Sequence, residues 1–367
     1  MKKIYTQPRT ETVATTPQQM LCASGIKAQI SGYKKNTGGF FIWLAGAVCS
    51  SLLFLGTACS TTNNPDQPKQ QSELKPRTLV VTQQAVSQVT PASDVRRLPQ
   101  ATITDAGETL NALWSKGDEI SFRNISHKEY TDTETSDPVY LEGTLLADRA
   151  ASIASFASNN EVWCELGDKI LLVYPKAAAP AITVSGSGSS LTASYSISLT
   201  RQDGTLDTIA STYHHSYGIA TITEVTPTVA NAVVAEMQNL LTVCKFSFVD
   251  KNQPGTLLPI TSLSISYGDG DDYAGTYPET ARVTVTQETN YTATVIPDKK
   301  NEAAGGKPLA ISPTGDTKEV YVALFPEAEA TKYSFRLESG ENIYTGTAKA
   351  QLNAGEFVVA TGLELTK

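Results

Sequence analysis

Residues 112–122 read ALWSKGDEISF and combine a turn signal with an alternating run of polar and apolar residues. Gly117 and Asp118 suit a tight turn, because glycine adopts positive φ freely and an aspartate side chain accepts backbone N–H bonds. The residues after the turn, EISF, alternate polar and apolar, which is the period of a half-buried strand. Trp114 is expected to fill the core below the turn rather than to stack on a ligand. The stretch therefore predicts a turn that leads into a β-sheet.

Short alternating runs of this kind recur beyond residue 76, separated by Gly, Pro, Asn and Asp. The predicted strands before residue 226 are 78–89, 119–122, 169–174, 181–184, 193–200 and 220–224. Those after it are 260–267, 281–287, 291–296, 319–325, 332–337, 345–352 and 357–365. Because no long helix is predicted between them, an all-β, antiparallel fold is expected rather than a parallel βαβ sheet.

The segment 228–241 has a different pattern. Its apolar side chains recur at spacings of three and four, which predicts a short helix before an alternating strand at 242–249. We place a domain boundary in this neighbourhood. The chain then divides into a leader and signal peptide (1–58), a polar tether (59–76), an N-terminal β-sandwich (77–226) and a C-terminal β-sandwich (227–367). Each sandwich is long enough to bury its own core.

Charge is distributed unevenly along the chain, whose net charge is −8. Residues 1–58 hold six basic side chains and one acidic, a net of +5, so the remainder carries −13. Such an acidic body is unsuited to neutralising phosphates, which excludes nucleic acid as a partner. The basic segment ends in an uncharged run of 19 residues, 40–58. The run is long enough to span a membrane, but a basic region, an apolar region and then small residues are typical of a bacterial signal peptide.

Small residues, Gly56, Thr57 and Ala58, lie directly before Cys59. This arrangement resembles a bacterial lipobox, in which the cysteine is acylated and becomes the mature N-terminus. The polar residues 60–72 would then form a tether between the acyl chains and the folded body. The alternative is an uncleaved membrane anchor with a cysteine at this position by chance. Residues 1–33 do not belong to a normal signal peptide and are expected to be removed with the leader.

Two cysteines, Cys164 and Cys244, remain after the leader and the acylated position are set aside. An exported protein could join them in one disulfide. Each also lies in an apolar, strand-like context, where buried free thiols are common. Both alternatives stay open on the sequence alone.

Catalytic and metal-binding chemistry is not indicated, because no G-x-S-x-G, H-E-x-x-H or phosphate-loop motif is present. His214 and His215 have no Cys or carboxylate at ligand spacing and are expected in a surface loop. Asp269, Asp271 and Asp272 lack the bidentate glutamate of a calcium loop and are expected in an acidic hairpin turn. We therefore expect a protein that is not an enzyme, with no catalytic residues, no metal and no cofactor.

The motif around Trp114, Gly117 and Asp118, together with later motifs, resembles the fimbrillin family, the Mfa-like type V pilins of Bacteroidales. The agreeing motifs, in the expected order, are EVWCELGD (161–168), YP (174–175), KFSF (245–248), VYVALFP (320–326), YTGT (344–347) and LNAGEF (352–357). With the lipobox, the resemblance covers residues 40–367. It implies a fold of two tandem transthyretin-like β-sandwich domains behind a lipoprotein signal peptide.

The resemblance also implies a route of assembly. In the family, a lipidated precursor reaches the outer membrane and an arginine-specific protease removes the first strand. A strand of the next subunit then fills the groove, which is a permanent form of β-augmentation. Here the removable strand would be 78–89, and the cleavage site would be the dibasic pair Arg96 and Arg97. Arg77 is a poorer candidate, because cutting there removes only the tether.

Two alternatives to these assignments remain. Arg96 and Arg97 could be a solvated pair in a loop, and uncleaved members of the family act as anchors. The donor strand is expected from residues 357–365, which could instead be an ordinary last core strand of the C-terminal domain.

The sequence thus predicts a fimbrial structural subunit, tip or anchor that serves cell adhesion. Its expected partners are other fimbrillin subunits, outer-membrane lipid through acylated (palmitate-bearing) Cys59, and an unidentified host or bacterial surface ligand. The expected location is the cell surface, at the outer membrane and in the fimbrium. The alternative is a monomeric surface lipoprotein that binds glycan or another macromolecule through its loops.

Overall fold

The computed structural model describes residues 74–83, 102–105, 110–127, 140–151, 154–176, 182–186, 192–287 and 290–367. They belong to one compact unit, Ser72–Lys367. The described residues form strands, with helical turns at Leu206–Thr208, Ile209–Tyr213 and Glu302–Ala304. Within these ranges no helix is long and apolar enough to cross a membrane. The all-β expectation is confirmed.

The strands are numbered in chain order. The first twelve are β1 (Lys75–Gln83), β2 (Thr102–Asp105), β3 (Leu110–Leu113), β4 (Glu119–Asn124), β5 (Glu142–Ala147), β6 (Ser155–Cys164), β7 (Lys169–Tyr174), β8 (Thr183–Ser185), β9 (Thr192–Ser198), β10 (Ser216–Val225), β11 (Val229–Val234) and β12 (Gln238–Asn239). The other ten are β13 (Thr242–Asp250), β14 (Gln253–Leu257), β15 (Ser262–Tyr267), β16 (Thr280–Gln287), β17 (Tyr291–Pro297), β18 (Leu309–Ile311), β19 (Val320–Leu324), β20 (Thr331–Ser339), β21 (Asn342–Ala350) and β22 (Phe357–Leu365).

Seven of these strands close into a barrel. They follow the order β11-β1-β6-β5-β4-β7-β10, and β10 pairs with β11 again, so the ring has no gap. All neighbours in the ring are antiparallel except β1 and β11, which are parallel. β12 extends the sheet beside β10. Closure removes the free edges that an open sheet would leave exposed. The structure therefore has a barrel where the sequence predicts the N-terminal sandwich.

The interior of the barrel is filled by apolar side chains that alternate along its strands. Trp114 is fully buried there. Its ring meets Phe156 edge-on with a centroid separation of 4.8 Å, and Tyr174 at 5.4 Å. This arrangement of aromatic rings is favourable, because the positive edge of one ring faces the negative face of another.

Strands β2 and β3 pair with each other as a two-stranded sheet. A second core lies between three four-stranded sheets. One sheet has the order β14-β13-β19, with β22 also paired to β13; another has the order β18-β15-β20-β21; the third has the order β17-β16-β9-β8. Phe246, Phe248 and Phe335 pack together in this core, with centroid separations of 5.4–6.2 Å.

Strand β7 is shared by the two cores. Ile170 and Leu172 point into the barrel, whereas Leu171 and Val173 join the second core. All four side chains are buried. A strand that is covered on both faces carries a continuous apolar run rather than an alternating one, which explains the sequence KILLVY of β7. The two cores are therefore packed against opposite faces of the same strand.

The predicted division at residues 226 and 227 does not separate the sheets. Strands β8 and β9 lie before this position, yet β9 pairs along its length with β16, from Thr280↔Ser198 to Thr286↔Thr192. The assignment of 77–226 and 227–367 as two domains stays a prediction.

The helix predicted at 228–241 is wrong, because this segment forms β11 and β12. In β11 the small side chains Ala230 and Ala232, with Val234, face the barrel core, and burial alternates with period two. The segment lies between β1 and β10 and pairs with both. The backbone bonds to these two strands override the helical spacing, since local propensity is a weak determinant when tertiary pairing is available.

The surface loop predicted for His214 and His215 is also wrong. Both residues are buried, with exposed fractions of 7 % and 1 %. Burial disfavours the charged imidazolium and lowers the pKa of each histidine from 6.5 to about 4.

We expect this burial to make the protein acid-sensitive. The pKa of both histidines is lowered in the fold, so the unfolded chain binds protons more readily. The free energy of unfolding is therefore unaffected by the two histidines above about pH 6.5 and decreases as the pH falls towards 4. Each histidine would contribute at most about 3 kcal/mol to this loss. Urea unfolding across that range should show a shallower pH dependence for the double variant His214→Gln/His215→Gln than for wild type. Equal slopes would contradict the prediction.

Candidate functional site

Strand β1 completes the barrel and is the candidate functional element. It pairs parallel with β11 from Thr78↔Val229 to Gln83↔Val234, and antiparallel with β6. In the strand order, β1 is the link between β6 and β11. Alternation along β1 places Leu79 and Val81 in the barrel core, where both are fully buried.

Burying two such side chains stabilises the barrel by about 1.5–3 kcal/mol each. The pairing with β6 contains a register shift between Thr78 and Val80. At the shift, the backbone N–H of Leu79 donates to Ser158 Oγ at 2.9 Å. The β-bulge therefore leaves this N–H with a side-chain acceptor in place of a backbone one.

Arg77 fixes the beginning of β1. Its side chain is 5 % exposed. Nε donates to the carbonyl of Thr226 at 2.7 Å, and Nη1 donates to the carbonyl of Cys164. The next residue, Thr78, donates its N–H to the carbonyl of Thr228 at 2.9 Å. The bond after Arg77 thus lies inside paired structure, where a protease cannot reach it without unfolding β1.

Several predicted site residues lie outside the described ranges. These are the lipidation residue Cys59, the cleavage pair Arg96 and Arg97, and residues 84–89 of the predicted removable strand. Their assigned roles stay predictions. The candidate membrane run 40–58 lies outside these ranges as well.

The motif residues Gly117 and Asp118 form the turn between β3 and β4. Gly117 has φ +88°, which a side chain would strain. The N–H of Asp118 donates to the carbonyl of Ser115 at 3.1 Å, and the N–H of Ser115 donates back to Asp118 Oδ2 at 2.7 Å. The N–H of Gly117 also donates to the carbonyl of Ala147 at 2.9 Å, which ties the turn to the end of β5.

The same turn occurs a second time between β6 and β7, at residues 165–168. Gly167 has φ +91°. The N–H of Asp168 donates to the carbonyl of Glu165 at 3.3 Å, and the N–H of Glu165 donates to Asp168 Oδ2 at 2.9 Å. Sequence reasoning overlooked this repeat, although SKGDEI and ELGDKI share Gly-Asp followed by a strand with Ile at the same place.

The second turn, unlike the first, has a histidine beside its aspartate. His127 Nε2 lies 3.1 Å from each carboxylate oxygen of Asp168 and 4.0 Å from Glu165 Oε1. The hydrogen bond with Asp168 raises the pKa of His127 above its usual 6.5, against the opposing effect of burial. These three side chains could hold a metal ion.

Strand β22, the expected donor strand, belongs to the second core within this chain. It pairs parallel with β13 from Val243↔Phe357 to Asp250↔Leu365. Its contact with β21 is a bridge between Thr345 and Thr366, just beyond its end. β22 is therefore paired within this chain, although Leu365 is the one residue of the strand that is buried. Its use as a donor stays a prediction.

The disulfide alternative is wrong, because Cys164 and Cys244 are both free and buried. They lie in different cores, Cys164 in the barrel and Cys244 in the other. Burial raises the pKa of Cys164 to about 11, and it also raises the pKa of Cys244. Both thiols are thus held in the unreactive, protonated form.

The comparisons with known proteins give structural likeness only. No family model and no curated protein matches this chain. Two solved structures, each described as a "putative cell adhesion protein", come from Bacteroides ovatus and Bacteroides uniformis. The first is 12 % identical, with a TM-score of 0.43 over 79 % of this chain and 92 % of that one. The second is 14 % identical, with a TM-score of 0.42 over 82 % and 97 %.

A shaft pilin, SpaA of Lactobacillus rhamnosus GG, is also similar. It is 12 % identical, with a TM-score of 0.27 over 78 % of this chain and 98 % of that one. Structural similarity with such low sequence identity does not define a function for this chain.

We expect the buried side chains of β1 to stabilise the fold and its exposed side chains to contribute little. Leu79→Ala removes a fully buried side chain, which should lower the free energy of unfolding by about 2–5 kcal/mol. Thr82→Ala, on the exposed face of the same strand, should change it by less than about 0.5 kcal/mol. Chemical denaturation of both variants provides the measurement, and equal effects would show that β1 is not part of the core.

Proposed function

We propose that this chain is a fimbrillin-like surface lipoprotein, a structural subunit, tip or anchor of fimbriae that serves adhesion and assembles by donor-strand exchange. The observation that carries the proposal is the place of β1. A single strand near the start of the folded unit closes the barrel, and its two neighbours in the ring are both formed by later segments.

Removal of β1 would leave a groove with defined chemistry. The edges of β6 and β11 would present unpaired N–H and C=O groups, and the positions of Leu79 and Val81 would open into the barrel core. Exposed edges and exposed apolar surface are both unfavourable in water. A strand of similar length with alternating apolar residues would restore both kinds of contact, which is how β-augmentation gains affinity and specificity.

The cleavage that would release β1 is proposed at Arg96 and Arg97. Cleavage there would detach the whole of β1, which ends at Gln83, from the rest of the chain. Arg77 is buried within β1 and bonded to the carbonyls of Thr226 and Cys164, so the fold protects it. The burial of Arg77 thus supports the choice of the dibasic pair.

The donor in a neighbouring subunit is proposed to be the segment Phe357–Leu365. In this chain it pairs with β13, with Leu365 almost fully buried. To serve as a donor it has to leave that position. An uncleaved chain with acylated Cys59 and an intact β1 would act as an anchor, or as a monomeric lipoprotein that binds a glycan or another macromolecule.

We expect limited digestion of the folded full chain by an arginine-specific protease to cut after Arg97 or Arg96 and to spare Arg77. Mass spectrometry of the products gives the new N-terminus. The double variant Arg96→Ala/Arg97→Ala should keep β1, whereas Arg149→Ala, which removes an arginine that is exposed in the structure, should be processed like wild type. An early cut at Arg77 would contradict the protection that the fold provides.

The polymer itself provides the second measurement. After cleavage, unboiled samples should form SDS-resistant ladders, because exchanged strands make a continuous backbone-bonded core. The uncleaved double variant should stay at the size of one chain. If the cleaved chain forms no ladder, donor-strand exchange is refuted. A native chain that retains acylated Cys59 and never loses β1 would instead support the anchor or the monomeric binding lipoprotein.

A further inference from the structure

The turn at residues 165–168 lies beside the end of β4. His127 lies three residues beyond that end. His127 is separated from Asp168 by 41 positions in sequence, so no local sequence motif indicates the cluster. One ligand atom from each of His127, Glu165 and Asp168 lies within 4.8 Å of the other two. The burial of the three differs: Asp168 is 5 % exposed, His127 22 % and Glu165 36 %.

We propose that His127, Glu165 and Asp168 form a zinc-binding site that joins the end of β4 to the turn between β6 and β7. The three side chains supply one imidazole nitrogen and two carboxylate oxygens, and water would complete the coordination. Three protein ligands with an open fourth position is a known arrangement for zinc.

The separations between the ligand atoms suit such an ion. Zinc binds nitrogen and oxygen ligands at about 2.0–2.2 Å, so the ligand atoms of a tetrahedral site are about 3.3–3.6 Å apart. His127 Nε2 is 3.1 Å from Asp168 Oδ1 and 4.0 Å from Glu165 Oε1. Small movements of the two partly exposed side chains, His127 and Glu165, would bring all three atoms to these distances.

The surroundings of Asp168 hold its carboxylate in place. Oδ2 accepts a hydrogen bond from Asn124 Nδ2 at 2.7 Å and another from the backbone N–H of Glu165 at 2.9 Å. Oδ1 faces His127. The two N–H donors to Oδ2 thus fix the carboxylate with both of its oxygens beside the imidazole. Outer contacts of this kind orient metal ligands and affect affinity strongly.

The donor set favours zinc over calcium or magnesium. Imidazole is a ligand that zinc and other transition metals accept readily, whereas calcium and magnesium prefer oxygen ligands alone. The site also lies close to the beginning of β1, because Arg77 donates to the carbonyl of Cys164, which is adjacent to Glu165. A bound ion would therefore brace the end of the barrel at which β1 begins.

The test measures zinc binding by the purified full chain after dialysis against a chelator. In isothermal titration with ZnCl₂, the chain should bind about one equivalent of zinc. Zinc should also raise the midpoint of thermal unfolding. CaCl₂ and MgCl₂ should show neither effect. Glu165→Gln and His127→Gln should each weaken zinc binding by at least about tenfold. Glu161→Gln neutralises an exposed carboxylate on β6, the strand that leads into the turn, and should bind zinc like wild type.

Other outcomes would overturn the proposal. If wild type shows no saturable zinc binding, the cluster is only an ion pair between His127 and Asp168. If His127→Gln lowers the unfolding midpoint equally with and without zinc, the histidine is structural. If Glu165→Gln and Glu161→Gln weaken binding alike, zinc associates with surface charge and not with this site. An equal response to calcium would indicate an oxygen-ligand site in place of the one proposed.

Discussion

The structure depends on the backbone hydrogen bonds of β1, which connect β6 to β11 and so close the barrel. Without this closure the sheet would have two free edges and an open core. Closure is secured at one end by Arg77, whose guanidinium bonds to carbonyls beside both neighbouring strands, at Cys164 and Thr226. Along its length, β1 contributes Leu79 and Val81 to the core. The same strand therefore holds the fold closed and occupies the groove that the proposed assembly would use.

A second constraint comes from β7, which is covered on both faces. Its alternate residues enter different cores, Leu172 the barrel and Leu171 the other. A change in the packing of one core would thus displace β7, which also contributes side chains to the other core. The strand order also mixes early and late segments, because β9 pairs with β16. These two features explain why a linear division of the chain into two sandwiches does not describe the sheets.

The sequence was a good guide where the local pattern and the final contacts agree. Gly117 and Asp118 form the turn that their chemistry suggests, with positive φ and a side-chain acceptor. The prediction was wrong where distant strands decided the outcome. Residues 228–241 have helical spacing, yet pairing with β1 and β10 makes most of them strand. His214 and His215 look polar and exposed, but they lie in the buried region next to β10.

The all-β class, the turn that leads into β4 and the apolar run of β7 follow from the amino-acid sequence alone, because period, turn chemistry and propensity are local properties. The sequence could not determine the closure of the barrel, which depends on the pairing of β1 with β11 about 150 residues later. It also could not bring His127 to Asp168, 41 positions away. Such contacts arise only when strands that are far apart in sequence pair in one register, and this pairing is decided by the packing of the whole unit.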